Sequence, residues 1–409
     1  MSADPPSAPD APPASSRSVP PGAQHRPGSQ GALRQRNSQR ILQALMARGP
    51  LTQAELSRHT GLSTATVSNI VKAMAEDGLV STAPTTSSGR RALSVRIDGR
   101  GAVAVGVDFG RRHVQVVLVS LDHRLLAADA VELPLGHDAE QGIDAAARLV
   151  QRLLDEHSVS PGAVLGVGAG IPGPIDRRTG TVIHGAILPE WVGINLLARL
   201  QERFGADVFV DNDANLGALA QVSWGPYQHA QNLAFLKIGS GIGAGLILNG
   251  ELYYGHIGVT GEIGHATVAE HGVICRCGNR GCLETVASTS TMIDLLSHGR
   301  NAPIGTEDIV RIALDGDPAA LRVIEDAGLA VGRALANVCN LLNPEFIVVG
   351  GPLTGLGSIL LDPVRRGLLR HVVPIVGEST DLAMSTLGSR AEALGAATLV
   401  LQQAELPFV

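Results

Sequence analysis

Apolar side chains recur at helical spacing in three short segments that begin near residue 37. In the first segment these positions are Ile41, Leu42, Leu45 and Met46, and Gly49-Pro50 ends the pattern. Thr52 stands three residues before Glu55, a capping box that starts a second helix through His59. Gly61 supplies a turn, and Ser63 caps a third helix whose apolar stripe is Val67, Ile70, Val71 and Met74. The pattern predicts three consecutive helices.

Two strand patterns follow the third helix, which ends near Gly78. They are Leu79–Thr82 and Leu93–Ile97, and they flank a loop rich in Thr, Ser and Gly that carries Arg90 and Arg91. Three helices followed by a hairpin predict a winged helix-turn-helix, with the helix that begins near Ser63 as the recognition helix.

The recognition helix and the wing offer small, polar or cationic side chains to solvent. They are Ser63, Thr64, Thr66, Ser68, Asn69, Lys72, Arg90 and Arg91. Side chains of these types reach base edges and phosphates without blocking entry into a groove. The pattern favours DNA as the partner, and a protein-binding module with a solvated face is the alternative.

From Ala102 onward, strands and helices alternate in two cycles. Predicted segments of the first cycle are strands Val103–Val107 and Val114–Ser120, helices near 140–157 and 192–204, and strands at 163–169 and 207–210. The second cycle opens with strands Leu233–Ile238 and Gly245–Leu248, and a further strand is predicted at Phe346–Val349. This repeat predicts a two-lobed α/β fold with a cleft between the lobes.

Length and charge divide the chain into parts. A chain of 409 residues is too long for one core. We predict a disordered tail at 1–30, a DNA-binding domain at 31–100 and an α/β domain at 101–409. Residues 31–100 hold ten Lys or Arg against four Asp or Glu, whereas the whole chain carries −6. A basic module on an acidic body indicates that only the module meets a polyanion.

The tail has eight prolines and almost no large apolar side chain. It cannot bury enough surface to offset the entropy of ordering. No stretch approaches the roughly 20 apolar residues of a membrane helix, and no signal-peptide pattern precedes the first helix. We therefore expect a cytoplasmic protein without membrane insertion.

Three cysteines and a histidine have the spacing of a metal site. Cys275, Cys277 and Cys282 lie within eight residues, and His265 precedes them by ten. Three thiolates and an imidazole fill a tetrahedral zinc shell, which is typical of closed structural sites. Four protein ligands leave no open position, so the sequence predicts a structural rather than a catalytic Zn²⁺.

A second polar cluster, Asp211 to Asn215, follows a buried strand. In α/β folds, ligands lie at the carboxyl ends of such strands. Amides and carboxylates there can bind hydroxyl groups, and one carboxylate can act as a general base. A capped helix start is the alternative. Glu262 and Glu284 favour the ligand site, because both border the zinc segment and metal binding would orient them.

Glycine-rich turns supply a third, weaker signal. Gly239, Gly241 and Gly243 lie in a turn that joins two strands, and Gly350-Gly351 follow another strand. Backbone amides at such turns can hold the phosphates of a nucleotide. Glycines that connect strands are mostly structural.

These motifs together resemble the ROK family (repressors, open reading frames and kinases), in particular its repressor branch. The residues that carry the resemblance are the run from Gly168 to Pro174, the Asp211–Asn215 run, Gly261-Glu-Ile-Gly-His265, and the segment from Cys275 to Glu284. They occur in the order typical of the family, and the resemblance extends from about residue 34 to the C-terminus.

The resemblance implies an actin-like ATPase fold with a hexose-type ligand in its cleft. The small lobe would span about 101–225 plus the C-terminal helix, and the large lobe about 226–385. By position, Asn212, Asp213, Glu262, His265 and Glu284 match sugar-contacting residues of the family. Asp213 matches the base of the kinases, and His265 would bind zinc with one ring nitrogen and the sugar with the other.

One turn departs from the kinase pattern. ROK kinases carry Asp-x-Gly-Gly-Thr at the first phosphate turn, whereas this chain reads Asp108-Phe-Gly110-Arg111-Arg112. The arginines add bulk and charge where ATP phosphates would lie, although they could bind another anion. Binding of ATP with Mg²⁺ is therefore doubtful, and we expect a regulator rather than an enzyme.

The sequence leaves two hypotheses for function. The first is a repressor of carbohydrate uptake or catabolism genes that binds operator DNA and a sugar or sugar-phosphate effector, as a homodimer or homotetramer. The second is an ATP-dependent hexose kinase. Control by a protein partner is a further possibility.

Overall fold

A computed structural model describes residues 30–87, 90–99, 102–177, 179–183, 187–298 and 304–404. The predicted tail, residues 1–30, lies outside this range except for Gln30, which begins the first helix. The N-terminal part contains three helices and a three-stranded sheet. They are α1 (Gln30–Arg48), α2 (Gln53–Thr60), α3 (Thr64–Glu76), β1 (Leu51–Thr52), β2 (Val80–Ser87) and β3 (Arg90–Ile97). The sheet order is β1-β3-β2, which completes a winged helix.

Short-range hydrogen bonds account for the two helix starts that the sequence predicts. The Thr52 hydroxyl accepts from the Glu55 amide at 3.3 Å, and the Glu55 carboxylate accepts from the Thr52 amide at 2.8 Å. The Ser63 hydroxyl accepts from the Thr66 amide at 3.1 Å. Gly61 ends α2 at φ +68°, a backbone conformation that glycine adopts without strain.

The wing differs from its prediction. The hairpin ladder continues from Val80↔Ile97 to Ser87↔Arg90, so Arg90 and Arg91 lie in β3 and not in a loop. The error has a physical cause, because the Thr residues at 85 and 86 are β-branched and favour strands. Their polarity alone resembles the pattern of a loop.

The first α/β part is a five-stranded sheet with helices on both faces. Its strands are β4 (Val103–Phe109), β5 (His113–Ser120), β6 (Leu125–Glu132), β7 (Val164–Ile171) and β10 (Val208–Asn212), in the order β10-β7-β4-β5-β6. A small hairpin, β8 (Ile175–Asp176) with β9 (Thr181–Val182), follows β7. The helices are α4 (Ala139–Glu156), α5 (Leu196–Phe204), α6 (Asp213–Ser223) and the last helix, α13 (Ala391–Gln403).

The second α/β part is another five-stranded sheet. Its strands are β11 (Leu233–Ile238), β12 (Ile242–Leu248), β13 (Glu251–Leu252), β14 (Phe346–Gly350) and β15 (Asp381–Met384), in the order β13-β12-β11-β14-β15. Its helices are α7 (Glu284–Ala287), α8 (Thr289–Ser297), α9 (Thr306–Leu314), α10 (Pro318–Leu342), α11 (Ser358–His371) and α12 (Pro374–Ser379). Helix α6 packs against β11 and β12 as well as α13, so it lies between the two sheets. The fold is the predicted winged helix followed by a two-lobed α/β domain.

The winged helix shares its apolar core with the first sheet. One buried cluster contains Leu42 and Val95 of the winged helix together with Ala104 of β4 and Leu394 and Val400 of α13. The sequence pattern did not indicate this continuity. None of the described helices is long and apolar enough to cross a membrane.

Candidate functional site

The end of β10 and the start of α6 carry the polar run that the sequence singled out. Asn212 caps α6, and its side-chain oxygen accepts from the Ala214 amide at 2.8 Å. Its amide nitrogen donates to the Gly173 carbonyl at 2.9 Å. Asp213 is the first residue of α6 and is buried, and its Oδ1 accepts from the Ala214 amide at 2.8 Å. The helix-cap role is therefore present, and both side chains lie where β10 ends and α6 begins.

A lysine in β11 joins this helix start to two other elements. Lys237 Nζ donates to Asp213 Oδ2 at 2.8 Å and lies 3.2 Å from Glu392 Oε1, at the start of α13. Asp108, the buried acid at the end of β4, interacts with the same ammonium and lies 3.3 Å from His113 Nε2. One ammonium group thus pairs with two carboxylates and interacts electrostatically with a third, Asp108.

Burial and charge shift the titration of these groups. Burial disfavours the ammonium of Lys237, but the surrounding carboxylates outweigh it and raise its pKa. Burial raises the pKa of Glu392 to about 6, even though Lys237 opposes that rise. Burial and the charge of Asp108 raise the pKa of Asp213, again against Lys237. The pKa of Asp108 is lowered instead, because Lys237 and His113 outweigh its burial.

Asp211, at the same edge of the first sheet, is held by the backbone amide of Asn212 at 2.7 Å and by three side chains. Asn215 donates to its Oδ1 at 2.9 Å, and the Tyr254 hydroxyl donates to its Oδ2 at 2.8 Å. Arg177 Nε lies 3.8 Å from Oδ2, and its guanidinium carbon stacks 3.5 Å from the centre of the Tyr254 ring. Asp211 is thus fully engaged, and it shapes one wall of the cleft.

Glu284, the first residue of α7, is buried and links the glycine turn to the cysteine segment. Its Oε2 accepts from the Ile242 amide at 3.1 Å and from Arg276 Nη2 at 2.8 Å. A Cβ on Gly241 would come within 2.5 Å of that oxygen and within 2.4 Å of Ile187, so the turn requires glycine for close approach. Partial burial, together with the charges of Asp213 and Glu284, raises the pKa of Glu262.

The four predicted metal ligands converge. The donor atoms of His265, Cys275, Cys277 and Cys282 all lie within 4.8 Å of one another. Cys277 Sγ is 3.7 Å from Cys282 Sγ, and Cys275 Sγ is 3.6 Å from His265 Nδ1. Tetrahedral bonds of about 2.3 Å to zinc place two sulfur ligands about 3.8 Å apart. The donor set and its spacing fit Zn²⁺.

The backbone of the cysteine segment and the orientation of His265 agree with that fit. Gly281 has φ +65°, and a Cβ there would lie 1.6 Å from the Ala269 carbonyl oxygen, so no other residue fits this turn. His265 Nδ1 faces the thiols, while Nε2 lies 3.7 Å from Glu262 Oε2. One ring nitrogen is therefore directed at the metal position and the other toward the cleft.

The altered phosphate turn lies against the second lobe. Arg111 Nη1 donates to the Ser290 hydroxyl at 3.2 Å, and Ser290 donates to the Ser240 carbonyl at 3.1 Å. Ser240 belongs to the turn between β11 and β12 that carries Gly239 and Gly241, and Ser290 lies in the first turn of α8. Gly243, predicted in the same turn, instead lies in β12, where it pairs with Lys237. Arg111 therefore bridges the two turns between which the phosphates of a nucleotide would lie, whereas Arg112 is exposed.

The outer face of α3 is polar. Thr64, Ser68, Asn69 and Lys72 are exposed, on the side opposite the four buried apolar residues of the helix. Thr66 is half-buried and its hydroxyl lies 2.8 Å from that of Ser63. Lys72 Nζ lies 3.9 Å from Glu76, and Arg91 is exposed on β3. The predicted residues therefore lie in the winged helix, at the cap and in the body of α3 and on β3.

Sequence reasoning missed four residues of the cleft. Arg276 lies between two cysteines of the quoted motif, and Arg177 follows the Gly168–Pro174 run by three positions. Lys237 is one of only two lysines and interrupts an apolar strand, which was a usable signal. Glu392 had no local signal, because its partner lies in a distant strand.

Comparisons with known proteins match both parts of the chain. A sequence model of the ROK family matches residues 104–403, and one of the MarR family matches residues 35–91. A xylose repressor from Bacillus spizizenii is 29% identical over 368 residues, covering 90% of this chain and 95% of the repressor. A glucokinase from Halalkalibacterium halodurans is 32% identical over 316 residues, covering 73% of this chain and 95% of the enzyme.

A solved structure is similar over almost the same length as the repressor. It is a ROK family transcriptional regulator described as a homologue of the E. coli MLC protein, with a TM-score of 0.75 and 27% identity. The structural alignment covers 91% of this chain and 96% of the regulator's chain. Both alignments leave out only about a tenth of this chain and so extend into the winged helix, unlike that of the glucokinase.

Proposed function

The chain belongs to the ROK family, and from this premise we infer that it is a sugar-responsive DNA-binding repressor of carbohydrate uptake or catabolism genes. One observation carries the inference: a winged helix shares a buried core with the family's sugar-kinase-like domain. The repressor and regulator relatives align across both parts, whereas the glucokinase aligns over 73% of the chain.

The effector site of the proposal is the polar cleft between the sheets. Asn212, Asp213, Glu262, His265 and Glu284 would contact the hydroxyl groups of a sugar or sugar phosphate. Carboxylates accept hydrogen bonds from hydroxyls, and the Nε2 of His265 is directed toward the cleft. Asn212 already uses its side-chain oxygen and one amide hydrogen within the protein, so its second amide hydrogen is the donor left for a ligand.

A structural Zn²⁺ is the second part of the proposal. His265, Cys275, Cys277 and Cys282 would hold it, and its charge would stabilise three thiolates in a closed tetrahedral shell. The segment that they form carries Arg276, which donates to Glu284, and His265 itself faces Glu262. Order in the metal segment would therefore set the orientation of two effector contacts.

The DNA contacts of the proposal lie on α3 and β3. Ser63, Thr64, Thr66, Ser68, Asn69 and Lys72 would face the major groove or its phosphates, and Arg90 and Arg91 would lie on the wing. A two-fold dimer, or a tetramer built from such dimers, would place two recognition helices in successive major grooves of a palindromic operator. By linkage, the sugar changes operator affinity by the same factor as the operator changes sugar affinity.

A DNA-binding titration tests the proposal. We expect the full chain to bind DNA from upstream of its own gene in preference to a scrambled duplex, measured by fluorescence anisotropy. One of D-xylose, D-glucose, D-mannose and N-acetyl-D-glucosamine, or a 6-phosphate of these hexoses, should then change the operator Kd about tenfold. Asp213→Asn should bind DNA normally and lose that response. Absence of any sequence-preferring complex would exclude the repressor function.

A sugar kinase is the second candidate. Asp213 and the glycine-rich segment Gly239–Gly245 favour it, because a base and a phosphate-binding backbone are both needed for phosphoryl transfer. Arg111 opposes it, since its side chain crosses the place where phosphates would approach. An assay of ADP release with the same free sugars separates the candidates, and sugar-dependent turnover that Asp213→Asn abolishes would establish the kinase.

A further inference from the structure

Lys237 is the cationic residue of β11, a strand that is otherwise apolar. The strand reads Leu-Ala-Phe-Leu-Lys-Ile, and its five residues besides Lys237 are all buried and apolar. A buried ammonium without partners costs several kcal/mol, so lysines in such places are paired. The partners here are Asp213 at 2.8 Å and Glu392 at 3.2 Å, and both are themselves buried.

We propose that Lys237 is a positioning residue of the effector site: its ammonium is the built-in counter-cation that holds Asp213 as an ionised acceptor for a ligand hydroxyl. The inference rests on the proposed function, because it assigns a role to Lys237 only if Asp213 contacts a sugar. The inference extends the proposed function, because it assigns to the effector site a residue that does not itself contact the ligand.

The charges around Asp213 make a counter-cation necessary. Asp108 at the end of β4, Glu392 on α13 and Glu262 in the second lobe all interact electrostatically with it, and each raises the energy of its ionised form or competes for the same ammonium. His113 is close to Asp108 and not to Asp213. Among the described residues that contact Asp213, Lys237 is the cation. Without it, buried carboxylates this close together would share protons.

The ion pair also fixes the geometry of the carboxylate. Lys237 binds Oδ2 and the Ala214 amide binds Oδ1, so both oxygens are held and the side chain cannot rotate. Each oxygen keeps a second lone pair, which can accept from a sugar hydroxyl. A pre-oriented acceptor loses less entropy when the ligand binds.

The same ion pair makes Asp213 a poor general base. Proton abstraction would leave a neutral acid beside an ammonium that has lost its main partner, which is unfavourable in a buried site. Lys237 therefore favours binding of the sugar over activation of its hydroxyl. This argument is independent of Arg111, which acts at the phosphate side of the cleft.

The test measures sugar affinity against pH in matched variants. The probe is whichever of D-xylose, D-glucose, D-mannose and N-acetyl-D-glucosamine binds the wild-type chain in isothermal titration calorimetry, followed from pH 6 to 9. Lys237→Met removes the cation. The double variant Lys237→Met/Glu392→Gln removes one positive and one negative group, so it keeps the local charge balance if the single variant folds poorly. Arg366→Met, which breaks an exposed pair with Glu325, is the control.

We expect a flat affinity profile for the wild type above pH 6.5 and for Arg366→Met. Both Lys237 variants should lose about tenfold or more in affinity at pH 7, and recover part of it as rising pH ionises Asp213. A folded Lys237 variant with the sugar affinity and pH profile of the wild type would overturn the inference. A loss of sugar affinity that does not depend on pH would also overturn it, because such a loss indicates a purely structural role. If the wild type binds none of the probes, the proposed effector site fails first, and this inference fails with it.

Discussion

Cys277 is the exposed ligand of the four-residue metal cluster, so its side chain can be changed with little effect on packing. We expect Cys277→Ala to lower the zinc content well below one ion per chain and to lower the free energy of unfolding by about 2–4 kcal/mol. The sugar response should weaken as well, because Glu284 and His265 lose the frame that orients them. Elemental analysis and urea unfolding measure the first two effects.

Cys339→Ala is the matched control for that prediction. Cys339 is buried in α10, outside the cluster, so its loss should leave the zinc content unchanged while removing some packing. Carefully purified wild-type protein without zinc would contradict the metal assignment.

Glu392 should make stability depend on pH. Its pKa in the folded chain is about 6, above the ordinary value of 4.5, so the folded state holds the proton more tightly than the unfolded state. Its contribution to stability is therefore full below pH 4.5 and is lost as pH rises through 6, by about 1–2 kcal/mol. Glu392→Gln should be more stable than the wild type at pH 7.5, and the difference should shrink at pH 5.

Urea unfolding of both proteins at the two pH values checks the sign. Protonation of the metal ligands at pH 5 affects both proteins alike and cancels in the difference. Glu325→Gln, an exposed acid, should show no such change with pH. A Glu392→Gln variant that is less stable at pH 7.5 would mean that the pair with Lys237 outweighs the cost of burial.

Distance along the chain decides which of these side chains the sequence could predict. His265, Cys275, Cys277 and Cys282 fall within one segment, so their spacing alone indicated the metal cluster. Lys237 meets Asp213 across 24 residues and Glu392 only in the last helix. No periodic pattern predicts such a contact, because it arises from the packing of α6 against β11 and of α13 against α6.

At the scale of one element, α3 offers a test of DNA recognition. Lys72 is exposed on its outer face and Nζ lies 3.9 Å from Glu76, too far for a strong pair. If Lys72 neutralises a phosphate, Lys72→Met should weaken operator binding and reduce the salt slope of log K by about 1. Operator titrations at several salt concentrations measure this.

Ser63→Ala is the comparison within the same helix. It removes the cap of α3 and should lower stability by about 1 kcal/mol, without changing the salt slope. An unchanged slope in Lys72→Met would place Lys72 away from the phosphates.

Helix ends were easier to predict than strand ends. The caps at Thr52 and Ser63 are local chemistry, and both were found where the sequence indicated. Strand β6 was missed, because Leu125–Glu132 is rich in alanine and pairs only with β5 at the edge of the sheet. Its conformation depends on a neighbour and not on its own pattern.

At the scale of the whole molecule, the core shared by the winged helix and α13 should couple their stabilities. Leu394 of α13 lies in that core, whereas Leu399 of the same helix packs with Leu216 of α6. Both substitutions to Ala should cost about 2–4 kcal/mol. Only Leu394→Ala should speed hydrogen exchange in α1 to α3, as measured by mass spectrometry. Equal exchange in the two variants would mean that the winged helix is an independent unit.

The two parts of the molecule were predictable separately, but their contact was not. Each follows from its own hydrophobic periodicity, since Val67, Ile70, Val71 and Met74 form one stripe and the strands of both sheets form others. The joint core contains side chains from near the two ends of the described chain. Hydrophobic periodicity shows that an apolar face must be buried, but it does not show which element packs against that face.

That joint core has a consequence for how the protein is made. About 290 residues separate β4 from α13, and at roughly 5–20 residues per second a ribosome needs about 15–60 seconds to synthesise them. During that time the winged helix has emerged, but α13 has not. The apolar face that α13 covers on β4, β5 and β7 therefore stays open until synthesis is nearly complete, so the effector domain closes well after the winged helix has been made.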